Sequence, residues 1–267
     1  MEKRIMALCG SICDVLEEMF PLHKAMERDN VGLLIGYRSQ PVQKVLLCLD
    51  VTSKTADEAI EKGCQMILSH HPLIFKPLSR ISGETPVQDT VYKAIRNGLC
   101  IYAAHTNMDV SKDGTCDLMA ELMGLKNVRP LCEESEAKPT VVGRIGVLEK
   151  EISLFDFLDI IKKSFKVSTL RYTGSNDKII KKVALCSGSF DGNFAPLLAQ
   201  RPDIYVSGEM KYHDVLDAFA YGLDTVLVGH YESEVIYKEA LAKRLKAKVP
   251  DTEFIPSEKE TPVLKSR

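Results

Sequence analysis

No two of the eight cysteines, at 9, 13, 48, 64, 100, 116, 132 and 186, are spaced Cys-x-x-Cys. That absence removes the zinc-ribbon and thioredoxin patterns, which need closely paired thiols. Cys48, Cys64, Cys100 and Cys186 fall in or beside strand-like runs and read as reduced thiols packed like small apolar residues. No run approaches the roughly 18 apolar residues that a membrane-crossing helix needs. Basic charge is not in excess either: 35 Lys and Arg against 37 Asp and Glu give a formal net charge of −2, so the chain carries no overall footprint for nucleic acid. Neither a Walker loop nor a dinucleotide fingerprint occurs. The start, Met1-Glu2-Lys3-Arg4, leads into an amphipathic helical pattern over 11–19 with acids inside it, which is no signal-peptide core, and the expected location is cytoplasmic.

What is present is ordinary in bulk and unusual in placement. The chain has 267 residues, 45% hydrophobic and 27% charged, enough for one large domain or two modest ones. Histidine is scarce, six in all, yet four end short apolar runs: Met66-Ile67-Leu68-Ser69-His70-His71, Ile101-Tyr102-Ala103-Ala104-His105 and Val226-Leu227-Val228-Gly229-His230. Each run follows a helix-like stretch closed by glycine, at Gly63, Gly98 and Gly222. Glycine stops helices because it tolerates the left-handed conformation. Short β-rich runs after such stops read as buried strands of a mostly parallel sheet. Four imidazoles are therefore expected at strand C-termini, the edge where open α/β sheets place their ligands.

The pattern predicts helices over 5–19, 55–62, 87–97, 153–165, 211–221 and 231–247. Strands are predicted over 31–37, 44–49, 64–69, 99–104, 141–148, 166–172, 181–186, 204–207 and 224–229. The halves echo each other: Lys44-Val45-Leu46-Leu47-Cys48 resembles Lys182-Val183-Ala184-Leu185-Cys186, and a serine follows each cysteine by 21 residues, at Ser69 and Ser207. The expectation is an α/β fold of two related domains with an internal pseudo-repeat. The first domain spans 1–130 with 240–267 and the second 131–239. The junction lies near 130–140, and the tail after Pro250 reads as loosely ordered.

The strand ends collect His70, His71, His105, Asp109, His230 and Glu234. Imidazole and carboxylate without thiolate suit Zn, Fe, Mn, Ni or Co rather than a structural cysteine site. Five or six donors exceed what one four-coordinate ion takes and suit two divalent ions. Adjacent residues of a strand point apart, so His70 and His71 could each serve a different ion. His230 and Glu234 stand four apart, on one face if one helical turn joins them. Singly, each has a plainer reading: Glu234 as an acid at a helix start, Asp109 as a turn residue, a histidine as a hydrogen-bonded strand end. Their joint occurrence favours a metal site. His213 follows the second-half equivalent of the His70–His71 strand, in which Glu209 aligns with His71; it reads as a proton-transfer residue or a helix-surface histidine. The glycine-bearing turn Ser187-Gly188-Ser189 could also offer N–H groups to a phosphate.

Five blocks together resemble the NIF3 family, whose members often carry the label GTP cyclohydrolase 1 type 2 homologue: Asp29-Asn30-Val31-Gly32-Leu33, Ser69-His70-His71-Pro72-Leu73-Ile74-Phe75, His105-Thr106-Asn107-Met108-Asp109, Gly143-Arg144-Ile145-Gly146 and Gly229-His230-Tyr231-Glu232-Ser233-Glu234. The resemblance covers almost the whole chain and points to the short form. A tryptophan often precedes the Asp-Asn block; here Arg28 stands there. The resemblance implies two α/β domains around a dinuclear centre in the cleft, within a homohexamer. It implies His70, His71, Asp109, His230 and Glu234 as metal ligands, Glu234 as the bridge, and His105 as a weaker ligand or a group behind the ligands. It also implies a metal-dependent hydrolase that opens the ring of GTP by water attack at purine C8, with His105 or His213 as proton carriers. A non-catalytic metal-handling or regulatory protein and a nucleotide phosphoesterase are the alternatives. No membrane partner and no nucleic-acid module are expected.

Overall fold

A computed structural model describes residues 6–132 and 141–265. The chain divides into two compact units: the described residues of Met1–Ser111 with Tyr237–Thr261, and those of Lys112–Ile236 with Pro262–Arg267.

Unit 1 begins with β1 (Ala7–Leu8), α1 (Cys9–Met19), β2 (Gly32–Ile35), β3 (Pro41–Val42) and β4 (Lys44–Cys48). It continues through α2 (Ser53–Glu61), β5 (Met66–Ser69), α3 (Pro86–Arg96), β6 (Cys100–Ala103) and α4 (Thr106–Val110). Unit 2 runs through α5 (Thr115–Leu122), β7 (Lys126–Pro130), β8 (Arg144–Ser153), α6 (Leu154–Phe165), β9 (Arg171–Tyr172), β10 (Ile179–Ser189) and α7 (Phe194–Ala199). It ends with β11 (Ile204–Glu209), α8 (Tyr212–Ala220), β12 (Asp224–Leu227) and α9 (His230–Glu234). The chain then returns to unit 1 as α10 (Tyr237–Lys248) and β13 (Glu253–Pro256).

Unit 1 holds a five-stranded sheet of order β13-β4-β5-β6-β2. The first four strands are parallel and β2 runs antiparallel to β6. Val45, Leu46, Leu47, Met66, Ile67, Leu68, Ile101 and Tyr102 are all buried, so the central strands are covered on both faces, which is why they read as continuous apolar runs rather than alternating ones. Leu46, Cys48, Ile67 and Ile101 form one core with Ala56 and Ala59 of α2 and Val91 and Ala94 of α3. Thr52 caps α2 in a reciprocal capping box with Thr55, and Thr85 caps α3 ahead of Pro86, the sequence signals that start a helix. The predicted stops are present: Gly63, Gly98 and Gly222 have φ of +68°, +64° and +76°, each two residues past the end of α2, α3 or α8.

Unit 2 holds a six-stranded sheet of order β7-β8-β10-β11-β12-β9. Its centre, β10-β11-β12, is parallel, and β8 and β9 flank it antiparallel. One core joins Val183, Leu185, Ile204, Val206 and Val226 with Phe157, Leu158 and Ile161 of α6 and Met119 and Ala120 of α5. A second core lies around Ala184, Tyr205, Leu197 and Ala218.

Several expectations need correction. Residues 112–130 belong to unit 2 rather than to the first domain, because β7 pairs with β8 and α5 joins the core of β10. The tail after Pro250 is not loose throughout: β13 adds a parallel edge strand beside β4, from Glu253↔Lys44 to Pro256↔Leu47. The helix predicted over 231–247 is two helices, broken at Val235–Ile236 where the chain passes from one unit to the other. The strand predicted over 166–172 shrinks to Arg171–Tyr172, because Lys166 takes a left-handed cap (φ 57°) after α6. Of the junction expected at 130–140, residues 133–140 lie outside the described residues. No helix among the described residues is long and apolar enough to cross a membrane.

Candidate metal centre

Within unit 1 the register sets the site. Cys48 pairs with Ser69, and Ser69 with Ala103, so three parallel strands end level with one another. His70 and His71 follow β5 directly, and His105 lies two residues beyond β6. Their rings gather, with centroid separations of 5.1 Å for His70–His71, 5.2 Å for His70–His105 and 5.5 Å for His71–His105. One nitrogen of each lies within 4.8 Å of the others, an arrangement that could hold a metal ion. Asp109, in α4, adds a carboxylate oxygen 3.7 Å from His70 Nε2. That is too long for a hydrogen bond, so the two donors converge without being bonded to each other. His70, fully buried, and Asp109, 4% exposed, are costly polar groups to bury, and such groups stay buried when paired or when coordinating a metal.

The other ring nitrogen is held in every case. His70 Nδ1 lies 2.9 Å from Ala104 O, His71 Nδ1 2.9 Å from Asp50 Oδ1, and His105 Nδ1 2.9 Å and 3.0 Å from the two Asp29 oxygens. Carbonyls and carboxylates only accept, so each Nδ1 carries the proton and donates it. Each Nε2 is then the basic nitrogen that a cation takes, the arrangement that fixes histidine tautomer and orientation in metal sites. Asp29 is itself locked by hydrogen bonds from the Thr106 amide (3.2 Å) and hydroxyl (2.5 Å). Burial works to raise the Asp29 pKa, but His105 and Thr106 outweigh it and hold it down at about 2. The backbone turn is pinned as well: Asn107 accepts the His105 amide at 2.9 Å and donates to Phe20 O at 2.8 Å.

Unit 2 carries a smaller set. His230 opens α9 and Glu234 closes it, so the expected helical turn forms and brings His230 Nε2 to 3.1 Å from Glu234 Oε2. His230 Nδ1 lies 3.0 Å from Glu209 Oε1, repeating the pattern of a carboxylate behind the imidazole. Glycine makes room. A Cβ at Gly188 (φ +60°) would collide with Glu234 Oε1 and lie 3.4 Å from His230 Nε2, and one at Gly208 would collide with Gly188 O and Ser233 Oγ. The Gly188 amide donates to Ser233 Oγ at 3.0 Å. The glycine turn considered for phosphate thus packs against the His230–Glu234 pair.

By unit, the candidates fall into two sets. His70, His71, His105 and Asp109 are gathered in unit 1, and His230 and Glu234 are paired in unit 2. His105, expected as a proton carrier, a weaker ligand or a group behind the ligands, stands among the imidazoles that could hold a metal ion. His213 is exposed on the first turn of α8 with its ring against Tyr212, and it joins none of the candidate metal groups among the described residues. The supporting carboxylates went unassigned. Asp29 lay inside a quoted block, Glu209 was visible as the partner of His71 in the repeat, and Asp50 was readable only as an acid two residues past a strand end.

Fold and donor set define a two-unit α/β protein with a candidate centre for divalent metal. Residues 7–262 match the Duf34/NIF3 (NGG1p interacting factor 3) family, and the chain belongs to that family. It is 34% identical over 235 residues to a GTP cyclohydrolase 1 type 2 homolog of Clostridium acetobutylicum, covering 88% of each chain. A homolog of the same name from Halalkalibacterium halodurans is 30% identical, covering 94% of this chain and 96% of its own. That alignment spans 359 positions, so the relative carries residues with no counterpart here. Among solved structures, a Bacillus cereus protein related to NIF3 superposes with a TM-score of 0.91 at 26% identity, covering 98% of this chain and all of that one.

Proposed function

We propose that this chain is a metal-dependent hydrolase acting on a nucleotide, with a centre of two divalent ions served by His70, His71, His105, Asp109, His230 and Glu234. The observation that carries the reading is the set of three unit 1 imidazoles whose Nδ1 atoms are all committed to oxygen acceptors, which leaves three Nε2 donors within reach of one another. Among the described residues of unit 2, His230 and Glu234 are the members of the candidate metal groups, fewer than the three or four protein ligands usual for a zinc-type ion. The reading therefore assigns both sets to one centre, in which Glu234 would be the shared carboxylate. Divalent ions in such a centre supply a hydroxide nucleophile near neutral pH and charge for the transition state's oxygens.

The chain's own residues have separate tasks. Asp50, Asp29 and Glu209 orient His71, His105 and His230 and keep them donating through Nδ1. In this reading His105 is a ligand rather than a proton carrier, and exposed His213 has no part in the centre. The relatives' name supports GTP as the first substrate to test, with hydrolytic ring opening and release of formate. Assembly into a homohexamer is part of the same proposal and is read by light scattering.

The test is formate release from GTP by protein stripped of metal and then reloaded with Zn, Mn or Fe(II). Release that follows metal loading supports the cyclohydrolase reading. Stoichiometric metal transfer to a chelator or acceptor without any release, from GTP or other nucleotides, overturns the enzyme in favour of a metal-handling protein.

A further inference from the structure

The two histidines after β5 rest on Cys48, the last residue of β4, and the two residues that follow it. The His70 amide donates to Cys48 O at 3.2 Å, and the His71 amide to Leu49 O at 2.9 Å. His71 Nδ1 is held by Asp50 at 2.9 Å. The segment 48–50 is thus a shelf that sets both the backbone and the ring of His71. The Cys48 and Leu49 carbonyls face the histidines, and the Leu49 and Asp50 amides must be satisfied elsewhere.

They are satisfied by the far end of the chain. Glu260 accepts from the Leu49 amide at 3.0 Å through Oε2 and from the Asp50 amide at 2.8 Å through Oε1. Lys238 Nζ pairs with Glu260 Oε2 at 2.8 Å, and the two side chains are only 9% and 6% exposed. A buried carboxylate spanning two successive amides and neutralised by one ammonium is a strong and directional clamp. The tail that presents it is tied down separately. Ser257 Oγ and the amides of Glu258 and Lys259 donate to buried Glu58 at 2.5, 2.9 and 3.2 Å, and the Glu260 amide donates to Ser257 Oγ at 3.2 Å. Glu58 therefore fixes the tail, while Glu260 alone reaches the shelf.

We infer that Glu260 is a positioning residue for metal binding: its carboxylate holds the Leu49–Asp50 backbone, and through it the Asp50 carboxylate that aims His71. The inference rests on the metal reading above and names a residue about 190 positions from the ligand it serves. It predicts that the Glu260 carboxylate on the Leu49 and Asp50 amides, rather than the docking of the tail as such, is linked to the binding of one ion.

The experiment titrates Co(II) into full-length protein stripped with chelator, reading the visible d–d bands and the dissociation constants, with circular dichroism to confirm folding. Glu260→Gln is expected to weaken one of the ions by roughly tenfold to a hundredfold, the range seen when groups behind metal ligands are removed, and to alter the bands. Asp50→Asn should do the same, and the double variant should be no worse than either alone, because both act through one group. Glu58→Gln, which loosens the same tail without touching the shelf, should lower stability and leave both dissociation constants at the wild-type value. Folded Glu260→Gln with wild-type constants and spectrum overturns the inference, and so does Glu58→Gln weakening the metal equally. Should Glu260→Gln not fold, Glu260→Asp, which keeps the charge and shortens the reach, is judged by the same criteria. Wild-type protein that takes up no Co(II) overturns the metal reading itself, a result distinct from either.

Discussion

The two units use one strand scheme for opposite purposes. In unit 1, Cys48 pairs with Ser69 and the chain continues as His70-His71; in unit 2, Cys186 pairs with Ser207 and the chain continues as Gly208-Glu209. The same two positions supply two imidazoles in one unit and none in the other. In unit 2 the first position has to be glycine, because a Cβ there meets Gly188 O and Ser233 Oγ. The second is Glu209, whose carboxylate stands behind His230. Unit 1 thus spends this strand end on donors and brings their supports from outside it: Asp50, Asp29, and Glu260 behind Asp50. Unit 2 spends it on support for a single histidine. A parallel strand end fixes where a side chain emerges, and the local residues decide whether it joins a group that could hold a metal or supports one that does.

Substitutions can break or sharpen that contrast. The largest effect is expected from removing a donor. His70→Ala and Glu234→Ala, one from each unit, should each lower metal affinity by more than about a hundredfold, beyond the loss caused by groups behind the ligands, while circular dichroism stays native. Unchanged metal content in both would end the assignment. Next is Gly188→Ala in unit 2, which places a methyl group against Glu234 at a left-handed backbone position. A cost on the order of 1–3 kcal/mol in urea unfolding is expected from the strained backbone, together with metal loss. Gly63→Ala in unit 1, with open space around its Cβ position, should cost a similar strain in stability and no metal.

An effect on stability alone, and a pH-dependent one, belongs to the tail of unit 1. Burial works to raise the Glu58 pKa, but hydrogen bonds from Lys62, Ser257 and the Glu258 and Lys259 amides bring it from 4.5 to about 2. A carboxyl held lower in the folded chain stabilises it fully above its unfolded value. The contribution, on the order of 2–3 kcal/mol, is lost as pH falls from about 4.5 towards 2. Glu58→Gln should cost that much at pH 7 and flatten the acid limb of the stability curve; an unchanged acid limb would remove Glu58 from the account. The smallest effect is none at all: His213→Ala on the exposed turn of α8 should leave metal binding and turnover as they are, and a tenfold fall in turnover would restore the proton-transfer role.

How much of this was legible depended on distance along the chain. The strand ends were readable because each apolar run sits between a glycine stop and a histidine. The Glu234 contact was readable because a spacing of four needs only one turn of helix. The supports were not. Asp29 lies 76 residues before His105, and Glu260 lies 210 after Asp50, so both depend on strand order rather than local pattern. The edge strand that carries Glu260 towards the shelf is four residues long and ends in proline, too short and too polar in its surroundings to stand out. The domain boundary slipped for the same reason: β7, exposed along its whole length, has no apolar pattern and declares its unit only by pairing with β8.

The most direct test of the central claim is elemental mass spectrometry of the intact protein, purified without added metal and again after reconstitution with Zn, Mn or Fe(II). The account predicts close to two ions per chain. Protein that remains free of metal after reconstitution would contradict it.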